Sequence, residues 1–220
     1  MDMNKISAGE NPPMDINVII EVPLGGEPIK YEIDKPSGAM FVDRFLYTAM
    51  RYPCNYGFIP HTLSDDGDPT DVLVVGSRPL MPGCVVRARP VGVLMMEDEA
   101  GIDEKIVAVP HQKLTQYYNQ IQSYKDLPQV LQDRIPHFFA HYKDLEEDKW
   151  VKVLGWESAE KAAELITQGI AAVKQTPRLP ERDSCTLGYP PLDKALNDGA
   201  ILWGLFSLAK IRTVNRKSFC

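Results

Sequence analysis

The chain has 220 residues, 44% of them hydrophobic and 25% charged, an ordinary globular composition with enough apolar material for a real core. Its formal net charge of −6 conceals an asymmetry: residues 176–220 carry seven Lys/Arg and four Asp/Glu, a net +3, which leaves −9 for residues 1–175. So acidic a body argues against nucleic acid as a partner, because nucleic-acid binding rests on Lys/Arg neutralising phosphates.

No apolar run approaches the roughly 20 residues that cross a bilayer. The N-terminus, MDMNKISAGENPPMDIN, has no basic stretch leading into an apolar one. An unexported, cytoplasmic protein with no membrane partner is expected. In "INVIIEV" (16–22) strict alternation puts Ile16, Val18, Ile20 and Val22 on one face of a strand and Glu21 on the other. "PIKYEID" (28–34) alternates again and makes Lys30 and Glu32 neighbours on one face. Further strand patterns follow at 40–46, 71–76, 84–96, 105–110 and 149–156, most of them short and separated by Gly/Pro/Asp turns, which suggests a closed or strongly curled sheet. Helical periodicity appears at about 127–143 and at 157–174. After Gln175 the composition turns to Pro, Gly and polar residues with one short apolar stretch, AILWGLFSLAKIR, so a boundary is placed near 175. The four cysteines (54, 84, 185 and 220) are far apart, without C-x-x-C or metal-site spacing, and read as free thiols of a reducing compartment.

The chemistry concentrates in "DDGDPTDVLVV" (65–75), where Asp65, Asp66, Asp68 and Asp71 fall within seven positions and run into an apolar strand. Two unit charges about 4 Å apart repel by roughly 1 kcal/mol in water and roughly 4 kcal/mol at an effective dielectric near 20, so solvent must separate these groups or cations must join them. An acidic turn is the plain alternative, because Asp, Gly and Pro each favour turns. A calcium loop counted from Asp66 fails: Asp71 stands where Gly is needed and Ser77 where Glu is needed. No GK[ST] phosphate loop, H-E-x-x-H or G-x-S-x-G occurs. A second acidic set, "MEDEAGIDEK", supplies Glu97, Asp98, Glu99, Asp103 and Glu104 from what reads as a loop between two strands. Oxygen-rich clusters favour Mg²⁺ or Mn²⁺ over zinc, and with Lys30, Arg44, Lys105 and Lys143 as anion partners the set looks built for cations and a polyanionic substrate.

The loop Asp66-Gly67-Asp68-Pro69-Thr70-Asp71 resembles the Asp-x-Asp-Pro-x-Asp segment of the soluble family I inorganic pyrophosphatases of bacterial type. The segments "IEVP", "PIKYEID", "FVDRFLYTAMRYPCNYGFIPHTLS", "RPVGVLMMEDEAG", "VAVPH", "HFFAHYKDLE" and "KWVKV" occur in family order over residues 1–175. Two features depart from the pattern. Thr70 stands where the family usually keeps an apolar residue, a change of little expected consequence for metal geometry, and residues 176–220 match nothing in the family.

The resemblance implies a mainly β fold with α, an OB-like five-stranded β-barrel with flanking helices, that hydrolyses pyrophosphate to two orthophosphates with Mg²⁺, for which Mn²⁺ can substitute. It implies Asp66, Asp71 and Asp103 as ligands of an activating Mg²⁺, Asp71 also serving a second ion. Asp98 and Asp103 would serve an ion arriving with substrate, and Glu21 one reached partly through water. By the same resemblance Asp68 is the general base, Lys30, Arg44, Tyr56, Tyr142 and Lys143 hold the phosphates, and Glu32, Tyr52 and Lys105 support the cavity. Bacterial relatives assemble as hexamers, which places the His137 and His141 helix in a subunit contact. A barrel that binds oligonucleotides or acts only as a metal-dependent scaffold is the rival reading, and single-strand binding needs a basic groove with stacking aromatics.

Overall fold

The computed structural model describes residues 2–175. The expectations for residues 176–220, including an atypical extension and its apolar stretch, lie outside the described residues. In chain order the elements are β1 (Ile16–Val22), β2 (Ile29–Ile33), β3 (Met40–Phe45), β4 (Asn55–Phe58), β5 (Asp71–Val74), β6 (Val85–Asp98), β7 (Gly101–Pro110), α1 (Gln129–His141), β8 (Val151–Glu157) and α2 (Ala159–Gln175). One sheet runs β1-β4-β5-β7-β6-β8, and a further β1–β6 pairing closes its first five strands into a ring. The β2–β3 hairpin forms a separate two-stranded sheet. The mainly β class with flanking helices is therefore as expected.

One strand is not anticipated by the sequence. β4 is only Asn-Tyr-Gly-Phe, and a glycine in so short a run reads as a turn. Gly57 serves close approach instead: a Cβ there would lie 1.9 Å from the Ile19 carbonyl oxygen on the facing strand.

β5, β6 and β7 have apolar residues on both faces, which make the two larger cores, while Ile19 and Phe58 join Ile33 of β2 in a smaller third one. Ile16, Val18 and Ile20 join Val72, Val74, Val93, Ile106 and Ala108 under Ala162 and Ile166 of α2. Leu73, Leu94, Met96 and Val107 join Ile135, Phe138 and Phe139 of α1. The expected face of β1 needs correction at one residue. Val22 packs in the α1 core, not with Ile16, Val18 and Ile20, because the register slips between Ile20 and Val22 and leaves Glu21 as the extra residue of a bulge. A bulge of this kind re-aims side chains without ending the strand.

α1 contains Pro136, which has no N–H to give the carbonyl four residues back. That carbonyl, of Gln132, accepts the indole N–H of Trp156 at 3.3 Å and so ties α1 to β8. Phe138 and Phe139 are buried, each stabilising the fold by about 1.5–3 kcal/mol. Among the described residues no helix is long and apolar enough to cross a membrane. Cys54, buried, and Cys84 are free thiols, as expected.

Candidate active site

Register brings the charged residues together at one end of the α1 face. β5 and β7 run parallel with Asp71 directly opposite Lys105, and β6 and β7 run antiparallel with Met96 opposite Asp103. Side chains two apart on a strand share a face, so Asp103 and Lys105 project together above the Val107 core. The second acidic set is not the loop expected from the sequence. Glu97 and Asp98 end β6, Asp103 and Glu104 lie within β7, and only Glu99 and Ala100 make the turn between them. Placement on strands fixes Asp98 and Asp103 more tightly than a loop would.

All fourteen expected residues line one cavity of about 370 Å³: Glu21, Lys30, Glu32, Arg44, Tyr52, Tyr56, Asp66, Asp68, Asp71, Asp98, Asp103, Lys105, Tyr142 and Lys143. Lys35, Glu99 and Lys149 also line it. Sequence reasoning misses Lys35 and Lys149: Lys35 lies two residues past β2, where spacing carries no face information, and Lys149, expected to open a strand, lies two residues before β8.

Every cation of the cavity has a carboxylate partner. Lys105, 5% exposed, sets its Nζ 2.5 Å from Asp71 Oδ2 and 2.6 Å from Asp103 Oδ1. Lys143 lies 3.0 Å from Asp98 Oδ2. Lys30 pairs with Glu32, as their shared face predicts, and lies 3.5 Å from Asp43. Arg44 is held between Asp43 at 2.8 Å and Glu146 at 3.2 Å. Lys35 Nζ is 3.1 Å from Asp68 Oδ1, and Lys149 pairs with Glu99.

Burial sets the protonation of several groups. Glu21, 6% exposed, is pushed up to about 8 by desolvation, with the Ile33 N–H, donated to Oε1 at 2.8 Å, pulling the other way. Desolvation also raises Asp103, against the attraction of Lys105. For Asp98 burial acts upward but is outweighed by the Ala100 N–H and Lys143, so its carboxyl lies below the usual range. Burial disfavours the charge on Lys105, yet Asp71 and Asp103 outweigh it and keep the ammonium charged. The phenols of Tyr52, Tyr56 and Tyr142 are raised by burial and remain O–H donors. Aromatic packing holds them: Tyr52 lies 5.3 Å from Tyr56 and 4.7 Å from Phe138, and Phe138 stacks on Tyr142 at 5.2 Å between ring centroids.

The loop carrying Asp66 and Asp68 is wound tightly. Gly67 adopts φ +90°, the Gly67 N–H donates to Ser64 O at 3.0 Å, and the Asp68 N–H donates to Asp66 Oδ1 at 2.9 Å. Every acidic donor here is a carboxylate oxygen, which suits a hard divalent cation. Among the described residues no three carboxylates converge as a ready cage, because lysines occupy oxygens of Asp68, Asp71, Asp98 and Asp103. Mg²⁺ keeps several waters and is held by one or two carboxylates plus phosphate oxygens, so the donor set fits that ion without a cage. With eight carboxylates among its lining residues, the cavity is not the basic groove that the oligonucleotide rival needs.

Comparison with known proteins agrees with this geometry. The family described as inorganic pyrophosphatase matches residues 18–174. The inorganic pyrophosphatase of Rhodospirillum rubrum is 64% identical over 172 residues, covering 78% of this chain and 96% of that protein. The one from Bradyrhizobium diazoefficiens is 63% identical over 175 residues, covering 80% and 98%. Among solved structures, the inorganic pyrophosphatase of Thermus thermophilus superposes with a TM-score of 0.75 at 43% identity, covering 79% of this chain and 99% of that one. An Anaplasma phagocytophilum structure described as an inorganic phosphatase gives 0.76 at 55%, covering 78% and 100%.

Proposed function

The chain belongs to the inorganic pyrophosphatase family and hydrolyses inorganic pyrophosphate to two orthophosphates, and from that premise we propose how its cavity does so: with Mg²⁺, for which Mn²⁺ can substitute, and with Asp68 as general base. The observation that carries the proposal is the convergence of fourteen residues, chosen from sequence, on one cavity of interleaved carboxylates and cations. Asp66, Asp71, Asp98, Asp103 and Glu21 would hold Mg²⁺. When bound there, the ion lowers the pKa of water and offsets the charge of the phosphates.

The residues of the chain do the rest. Lys30, Arg44 and Lys143 take phosphate oxygens, and Tyr56 and Tyr142, kept protonated by burial, donate their O–H groups. The attacking water oxygen bonds to one phosphorus as the bridging P–O bond breaks. Its proton goes to Asp68, and the bridging oxygen leaves on the second phosphate with the electron pair. Asp68 suits this task by position: it stands on the loop next to the ligand positions and, among the described residues, is ion-paired only with the exposed Lys35, which can release it. Lys105 stays between Asp71 and Asp103 and fixes their separation, while Glu32 and Tyr52 orient Lys30 and Tyr56.

The same proposal takes in a cytoplasmic hexamer and an OB-like ring. Exposed His137 and His141, 4.6 Å apart between ring centroids on α1, support a subunit contact there, and light scattering tests it. The chemistry is tested by phosphate release from pyrophosphate with Mg²⁺ and with EDTA. Release should require the cation, and equal release in both would overturn the metal assignment.

A further inference from the structure

We infer that Gly169 of α2 is a positioning residue for the acidic loop: the absence of a side chain lets the helix rest directly on Thr62, Leu63 and Thr70, and this seat sets where Asp66, Asp68 and Asp71 stand. The inference rests on the proposed assignment of those carboxylates to Mg²⁺ and to the attacking water. Glycine is among the least favourable residues in a helix interior, so a buried one calls for a packing reason.

The reason is visible in the contacts. A Cβ on Gly169 would lie 2.9 Å from Thr70 Oγ1, 3.3 Å from Thr62 Cβ and 3.4 Å from Leu63 O. The Leu63 N–H donates to the Gly169 carbonyl at 3.0 Å, a bond entering α2 from outside the helix. Both ends of the acidic loop are stitched to this point. The Thr70 N–H donates to Thr62 Oγ1 at 2.9 Å, and the Thr62 hydroxyl donates to Ile59 O at 2.7 Å. The Ser64 hydroxyl donates to Thr70 Oγ1 at 3.2 Å, and the Ser64 N–H donates to Asp68 O at 2.7 Å. Thr70 is 1% exposed and β-branched, so its Oγ1 cannot swing away from a new methyl group without leaving its rotamer or its partner. With the Leu63 N–H bonded to the Gly169 carbonyl, the displacement is expected to be passed to the loop. α2 places no side chain in the cavity, so any effect of Gly169 on cation binding passes through that loop.

The test uses the full chain and three variants: Gly169→Ala, Thr70→Ala, and the double variant. Mg²⁺ affinity is read by calorimetry without substrate, alongside the thermal midpoint in EDTA. Gly169→Ala should weaken Mg²⁺ binding by about tenfold, the lower end of the loss seen when groups that orient metal ligands are disturbed. Thr70→Ala removes the oxygen that the methyl group would meet, so the double variant should bind Mg²⁺ within about twofold of Thr70→Ala alone, as expected when a cycle isolates one contact. A Gly169→Ala chain with a lowered midpoint but unchanged Mg²⁺ affinity would overturn the inference, since that is the signature of a structural role alone. If Gly169→Ala does not fold, the double variant should fold and bind, and its failure to do so would equally overturn it. A wild-type chain that does not bind Mg²⁺ would overturn the ligand assignment itself, and is thereby distinguished from failure of the Gly169 inference.

Discussion

Lys105→Met should destabilise the substrate-free chain, and Mg²⁺ should restore a large part of the loss. Lys105 is 5% exposed, with Nζ 2.5 Å from Asp71 and 2.6 Å from Asp103. At such separations each pair attracts by roughly 6 kcal/mol at an effective dielectric near 20, and the cost of desolvating the ammonium offsets most of the sum. Methionine keeps much of the aliphatic stem but not the charge, and it leaves two carboxylates facing a cavity with nothing between them. Breaking a buried ionic group in this way costs about 3–5 kcal/mol, because the uncompensated charges stay behind. In a chain of this size each kcal/mol moves the thermal midpoint by about 2–4 °C, so a fall of about 10 °C is expected. Thermal unfolding followed by circular dichroism in EDTA and again in excess Mg²⁺ measures both parts of the prediction. In Mg²⁺ the fall should be less than half as large, since the divalent cation supplies the missing positive charge. A midpoint unchanged in EDTA, or a fall of the same size in both buffers, would refute the reasoning.

Asp68→Asn keeps the shape of the loop but removes the proton acceptor, so turnover should fall about 10²–10⁴-fold with Mg²⁺ affinity nearly intact; near-normal turnover at saturating Mg²⁺ would exclude Asp68 as the base. Asp71→Asn should show the opposite order, with calorimetric Mg²⁺ affinity lost first. A chain ending at Gln175 retains all the described residues that line the cavity and should hydrolyse pyrophosphate at least as well as the full chain; loss of most activity would show that residues 176–220 take part in the working structure. Asp15 is held below its ordinary value of 3.8 by hydrogen bonds from Arg87, against the upward pull of burial. A depressed carboxylate stabilises the fold above its unfolded pKa and loses that contribution as pH falls through its folded value. The stability difference between wild type and Asp15→Asn should therefore be constant near neutrality and shrink below about pH 4, and a difference that persists unchanged to lower pH would contradict the assignment.

Strand alternation correctly pairs Lys30 with Glu32, because a two-residue repeat is a local rule and the hairpin obeys it. It misplaces Val22, because a bulge is one residue inserted against a partner strand, and the partner β4 is itself hidden by its length and by Gly57. The acidic set at 97–104 reads as a loop since strands seldom carry so many carboxylates in water. In the structure Lys105, two residues along β7, lies beside Asp103, and Lys143, 45 residues away in the chain, lies beside Asp98, and together they make those strand ends tolerable. The identities of the cavity residues are legible through the family motifs, which record the outcome of three-dimensional convergence in one dimension. Lys35 lies one residue past the motif PIKYEID, Lys149 opens the motif KWVKV with no role assigned to it, and Gly169 is one ordinary glycine among alanines and isoleucines until its neighbours are known.

The parallel pairing of β5 with β7 bears on the order in which the molecule comes together. Parallel neighbours cannot meet across a tight turn; here β6 intervenes, and the ring also needs β1 to reach β6, with Ile16 opposite Ala88. Contacts of such long sequence separation form only after loop-closure entropy has been overcome, so they are expected late in folding. The juxtaposition of Asp71 and Lys105 is one of them, and no isolated hairpin of this chain contains it. Interactions absent from the transition state act on the rate of unfolding and leave the rate of folding nearly unchanged. On the proposed assignment, a cation held by Asp71 and Asp103 would be a latch on a ring already shut, prolonging the life of the folded chain without hastening its birth.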